Sequence, residues 1–148
     1  MICSTRWKNI INRNHRIGLI VTNGSEKHQR LVASIVKYLI ESLDANPLEI
    51  ETNFRESRFF YDVYYKNVPY EAETSLKSQY KSYPFILCLP PDFFENGRKV
   101  TVVNKEQRIR NCMKRNENIL KVLIFDIRTL TLIKWLNRHE IWHHFRIL

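Results

Sequence analysis

Two uninterrupted apolar runs restrict this chain more than any other feature. Phe85-Ile86-Leu87-Cys88-Leu89 and Val122-Leu123-Ile124-Phe125 offer no polar residue to either side of an extended backbone. Strands of this kind are buried on both faces, which requires a sheet held between two covering layers. Pro90-Pro91 ends the first strand, and Lys121 and Asp126 bracket the second. Between them, Asn104 is placed to cap a helix running to Asn118, with Ile109, Cys112 and Met113 as its apolar side. A helix between two buried strands predicts a crossover and parallel neighbours.

The covering layers can be read from spacing. Leu31, Ile35, Leu39 and Leu43 recur at intervals of four, flanked by Val32, Val36 and Ile40, predicting a helix from Glu26 to Leu43. Asn23 or Ser25 caps it, and Asp44-Ala45-Asn46-Pro47 stops it. Arg16 to Thr22 reads as a short strand leading in, and Leu48 to Phe54 as the first strand of the central sheet. A second helix is predicted from Leu130 to Trp142, a short one from Ser75 to Lys81, and an extra strand at Val100 to Val103. The fold class is therefore α/β, a mixed central sheet flanked by helices. At 148 residues, with three glycines and no Gly/Ser or Pro-rich linker, a single domain spanning residues 1–148 is expected.

One segment carries chemistry within this frame. Arg58–Tyr65 and Tyr70–Thr74 read as paired strands joined by Lys66-Asn67-Val68-Pro69, and they hold Asp62, Glu71 and Glu73. Glu71 and Glu73, two apart, are expected on one face, with Asp62 within cross-strand reach. Three converging acids call for a cation, and a hard divalent metal bound through oxygen is the usual partner. The plain alternative is a strand whose acidic face is simply solvated, since Tyr70-Glu71-Ala72-Glu73-Thr74 alternates.

Charge and cysteine content narrow the partners. A net charge of +9 favours an anionic partner, nucleic acid first and a membrane surface second. The apolar runs are too short to cross a bilayer, and the N-terminal stretch lacks the continuous apolar core of a signal peptide. Cys3, Cys88 and Cys112 have no CxxC spacing, so reduced thiols in an intracellular, cytoplasmic protein are expected. Arg98, Lys99, Lys105, Arg108, Arg110, Lys114 and Arg115, with Lys121 beyond, crowd one region as candidate phosphate contacts. A solvated helix face is the plain reading of the same charges. Residues 1–15, with Arg6, Lys8 and Arg13, are expected to be a flexible basic arm.

From Ser25 to Asp126 the order of elements and the acids resemble the PD-(D/E)XK, or restriction-endonuclease-like, nuclease superfamily. The nearest members in style are archaeal and viral Holliday-junction-resolvase-like proteins. The resemblance implies a Mg²⁺- or Mn²⁺-dependent deoxyribonuclease acting on DNA as a homodimer. It places Asp62 and Glu71 as the two metal-binding acids, Glu73 where the family usually has Lys, and Glu26 as a further acid near the metal. Lys77 becomes the substitute lysine, reaching back from a following helix. Tyr61 stands where the family usually has Pro. Such chemistry uses hard cations to polarise the phosphate and activate water, with a lysine to orient the water or stabilise developing charge.

Two other classes compete. His139-Glu140-Ile141-Trp142-His143 is a literal HExxH, which on a helix presents His139 and His143 to zinc with Glu140 as general base. Its families usually draw a third ligand from well downstream, and five residues follow His143 here. A noncatalytic nucleic-acid-binding or signalling module of α/β fold would use the Arg16–Thr22 strand and the following helix. It would leave the acids without a task.

Overall fold

The computed structural model describes residues 25–56, 59–80, 83–101 and 104–138. The N-terminal arm, the Arg16–Thr22 strand and the HExxH string lie outside the described residues. The first element is helix α1, Glu26–Ser42, and strands β1 (Glu51–Glu56), β2 (Phe59–Tyr65) and β3 (Val68–Ala72) follow. Next come β4 (Ser75–Leu76), β5 (Phe85–Leu89), β6 (Phe94–Glu95) and β7 (Arg98–Lys99). Helix α2 (Lys105–Arg115), β8 (Ile119–Asp126) and β9 (Thr131–Asn137) complete the order.

The main sheet is mixed and six-stranded, in the order β1-β2-β3-β5-β8-β9. β1, β2 and β3 form an antiparallel meander, β3, β5 and β8 run parallel, and β9 returns antiparallel at the edge. The two apolar runs are adjacent central strands, and their alternate residues sort to opposite sides. Cys88, Leu123 and Phe125 pack in one cluster with Leu31, Ile35 and Leu39 of α1. Phe85, Leu87, Leu89 and Val122 pack in a second with Ile109, Cys112 and Met113 of α2. A helix on each side explains why neither face of these strands tolerates polarity. At about 1.5–3 kcal/mol for each large apolar side chain buried, these two clusters dominate the stability of the domain.

Helix α1 starts as its sequence predicts: the Ser25 hydroxyl accepts from the His28 amide at 3.2 Å, and Glu26 occupies the first turn. Beyond it, Asp44 adopts a left-handed φ of 54°. Pro47–Glu49 is a short 3-10 turn, where the Asn46 side chain accepts from the Leu48 amide at 3.0 Å, so β1 begins at Glu51 and not at Leu48. The β2–β3 hairpin is tighter than the sequence suggests. Its loop is Lys66-Asn67 alone, both with positive φ (47° and 64°), the geometry that matches the twist of the flanking strands.

Three predicted elements are corrected. Ser75–Lys81 is not a helix: Ser75 and Leu76 pair with Phe94 and Glu95 in a small second sheet of β4, β6 and β7, and Leu76 is buried. Tertiary pairing outweighs a helix too short to sustain itself. Leu130 to Trp142 is not a helix over its first part, because Thr131–Asn137 pairs along β8. Thr131, Ile133 and Trp135 suit a strand, and the available ladder decides the matter. Of the extra strand expected at Val100–Val103, Val100 and Thr101 are not in a strand and Val102 and Val103 lie outside the described residues; a strand forms at Arg98–Lys99, hairpinned onto Phe94–Glu95. Helix α2 is shorter than expected, ending at Arg115. The Asn116 amide caps it on the carbonyls of Cys112 and Met113, and the Arg138 guanidinium donates to Met113, Asn116 and Ile119 carbonyls.

Candidate functional site

The meander brings Asp62 and Glu71 together and leaves the other predicted acids elsewhere. One Asp62 oxygen accepts from the Ala72 amide at 2.8 Å, and the other lies 3.3 Å from His28 Nε2 on α1. Glu71, buried at 3 % exposure, hydrogen-bonds to the Asp62 carboxyl and accepts from the Tyr83 hydroxyl at 3.0 Å. Burial would raise the Asp62 pKa, but the hydrogen bond and charge of His28, with the Ala72 amide, outweigh it and hold Asp62 below its ordinary value. The Tyr83 hydroxyl is pushed up by burial and by the Glu71 charge, so it stays protonated and donates. The result is a chain of four polar side chains, His28, Asp62, Glu71 and Tyr83.

Glu73 does not share a strand face with Glu71, because β3 ends at Ala72. The Glu73 amide donates to the Cys88 carbonyl at 3.0 Å, and its carboxylate pairs with Lys77 at 3.3 Å. Lys77 therefore faces Glu73 and not the Asp62–Glu71 pair. Glu26 pairs with Arg30 at 3.5 Å on an exposed part of α1. Among the described residues, no group of three or more His, Cys, Asp or Glu side chains is arranged to hold a metal ion. Asp62 and Glu71 would give Mg²⁺ or Mn²⁺ two carboxylates whose oxygens already accept from protein donors, a poor match to the oxygen-rich shell such ions take.

His28 and Tyr83 are the functional candidates that the sequence reading missed. His28 had a usable signal: it stands three, four and seven residues before Leu31, Val32 and Ile35, on the buried stripe of α1. A histidine at such a position has to meet a polar partner. Tyr83, in the connection before Pro84, belongs to no periodic pattern.

The basic residues divide in space. The Asn96-Gly97 turn, with φ of 52° and 76°, folds β7 back on β6 and leaves Arg98 and Lys99 exposed. Together with Arg108 and Asn104 at the start of α2 they line a polar hollow of about 450 Å³. Arg108 is steadied by Glu95 at 2.9 Å, and the Asn104 side chain makes no cap to the helix. The other four cations lie differently. Lys105 donates to the Pro91 carbonyl, and Arg110 pairs with Glu106 at 2.9 Å. Lys114 and Arg115 are exposed in the last turn of α2, where they complement its dipole.

Comparison with protein-family models, with curated proteins and with solved structures finds no match. Cys88 and Cys112 are buried free thiols, and no described helix is long and apolar enough to cross a membrane.

Proposed function

We propose that the protein binds nucleic acid through its phosphate backbone, and that the hollow between the β6–β7 hairpin and α2 is the contact. The observation that carries this reading is the convergence of Arg98, Lys99 and Arg108 on one polar concavity at the positive end of a helix. The net charge of +9 supplies the long-range attraction. Guanidinium groups recognise phosphate oxygens in pairs, and Glu95, which also lines the hollow, holds Arg108 in place there. Contacts of this kind give affinity without sequence preference.

The test is fluorescence anisotropy with a labelled DNA at several salt concentrations. Affinity is expected to fall steeply as salt rises, and Arg98→Ala with Lys99→Ala is expected to weaken binding and flatten the salt slope by about two. Affinity that ignores salt, or a double variant that binds like the wild type, overturns the reading.

A second reading adds phosphodiester hydrolysis at the meander, and the contact between Asp62 and Glu71 favours it, since that pair matches the two acids of the nuclease resemblance. Its test is cleavage of branched and linear DNA with Mn²⁺ by the wild type and Asp62→Asn. Cleavage by the wild type that is lost in the variant supports hydrolysis; an inactive wild type leaves the binding role alone.

A further inference from the structure

The aromatic residues of the meander have no part in the hollow or in the carboxylate chain, yet they are arranged with unusual regularity. Phe54, Tyr64, Tyr61 and Phe59 form an array of near-parallel rings. Phe54 and Tyr64 lie 4.9 Å apart at 19°, Tyr61 and Tyr64 5.1 Å apart at 13°, and Phe59 and Tyr61 6.5 Å apart at 16°. Tyr83 closes one end edge-on, against Phe59 at 4.9 Å and Tyr61 at 5.0 Å. Among the described residues, no further ring closes the Phe54–Tyr64 end.

Regular alternation would not produce this array. Tyr61 and Tyr64 are three positions apart and belong on opposite faces of a straight strand. The pairing of β1 with β2 skips Asn53 opposite Asp62, and Asn53 adopts a left-handed φ of 49°. The pairs on either side keep one register, Thr52 with Val63 and Phe54 with Tyr61, so the irregularity stays local; Val63 lies in the cluster under α1, and the Tyr61 and Tyr64 rings stand together. Through Tyr83 and Phe85 the array continues into the cluster packed on α2, which places it on the α2 side of the sheet. Helix α2 packs over β5, β8 and Leu136 of β9. Among the described residues, the β1–β3 half of that side carries rings where the other half carries a helix.

We infer that this ring array is a stacking platform for the bases of a single-stranded nucleic acid. The inference rests on the polyanion reading above and deepens it. Rings that are half-exposed at the Phe54–Tyr64 end, on a strongly basic protein, match a ligand that is anionic along its backbone and flat and aromatic along its bases, which only an unpaired strand exposes. A base adds a further parallel plane at the Phe54–Tyr64 end, and the cations of the hollow hold phosphates of the same strand. A duplex keeps its bases stacked on each other and gains nothing from the rings.

Three labelled ligands of equal length separate the two ideas: an oligothymidine single strand, the same strand made wholly abasic, and a duplex. The wild type is expected to bind oligothymidine more tightly than the abasic strand, on the order of tenfold for each stacked base. Phe54→Leu with Tyr64→Leu, which keeps apolar volume and removes the rings, is expected to abolish that preference while leaving abasic-strand affinity unchanged. Equal wild-type affinity for oligothymidine and the abasic strand overturns the platform and leaves the polyanion reading standing. Failure to bind any of the three overturns both. The wild-type comparison decides the question even where the double variant does not fold.

Discussion

Phe125 on β8 and Tyr64 on β2 are large aromatic residues of the same sheet, and their surroundings differ in kind. Phe125 is fully buried under α1, with the Tyr38 ring edge-on at 5.8 Å. Tyr64 is half-buried, stacked on other rings, with its hydroxyl donating to Asn67 at 3.3 Å. The difference follows the helices. Where both faces of the sheet are covered, at Phe85–Leu89 and at Val122 to Phe125, every position is apolar and the side chains are fixed by their neighbours. Where one face carries no helix among the described residues, the strands hold carboxylates, tyrosines and the left-handed Asn53. Within the main sheet, groups that could meet other molecules have room in the second kind of region.

The sharpest way to break this contrast is truncation. Phe125→Ala is expected to cost about 3–5 kcal/mol, and Tyr64→Leu less than about 1.5 kcal/mol, measured by urea unfolding. Similar costs at both positions would make the meander as much a core as the parallel strands.

The next effect comes from the carboxylate chain, which is the buried polar part of the meander. Glu71→Ala is expected to destabilise by about 1–3 kcal/mol, because the Tyr83 hydroxyl loses its acceptor inside the fold. Tyr83→Phe removes the same bond from the other side, and together the two single variants and the double form a cycle that isolates the pair. Additive costs would show that the two groups act separately.

A smaller effect appears in acid. The pKa of Asp62 is lowered in the folded protein, so its contribution is complete above the unfolded value of about 3.9 and is lost as pH falls through the folded value. The wild type is therefore expected to lose stability on acidification through this range more steeply than Asp62→Asn, read from unfolding midpoints at a series of pH values. Identical acid limbs would remove Asp62 from the account.

The smallest effect is expected at the hollow. Arg98→Ala and Lys99→Ala lie on an exposed two-residue strand and should change stability by less than about 0.5 kcal/mol each. A loss of binding in these variants then reports contact and not unfolding. A large loss of stability would instead assign Arg98 and Lys99 to the fold.

The doubly covered strands were legible in the sequence because their environment is uniform. Phe85–Leu89 and the run at Val122 could be read from hydrophobicity alone, and α1 from its spacing and its Ser25 cap. The same logic misplaced β9, since Thr131–Asn137 is amphipathic in a way that a short helix can also satisfy, and the ladder with β8 resolved it. At the site, Asp62 and Glu71 were legible as cross-strand neighbours. Glu73 was not, because where β3 ends depends on its contact with Cys88. The ring array was hidden because Tyr61 and Tyr64, three positions apart, are not face-mates in a regular strand, and their contact shows only in the folded sheet. Arg138, which donates to carbonyls of α2 and β8, becomes visible only when the elements are docked.

The two-residue loop at Lys66-Asn67 has a consequence in time. A hairpin closed by so short a loop forms in about 1–10 μs, whereas pairing β5 with β8 requires residues 90–118 to be gathered in first. Loop closure thus orders assembly, with the meander ahead of the crossovers. During that interval the nascent protein displays an aromatic half-sheet whose β1 edge pairs with no further strand among the described residues, the kind of surface on which chains stick to one another. Arg55 and Glu56 on that edge, and Lys66 at the turn, are exposed charges placed where a second chain would add. They act as guards of the unfinished molecule, and their value lies in the yield of folded protein.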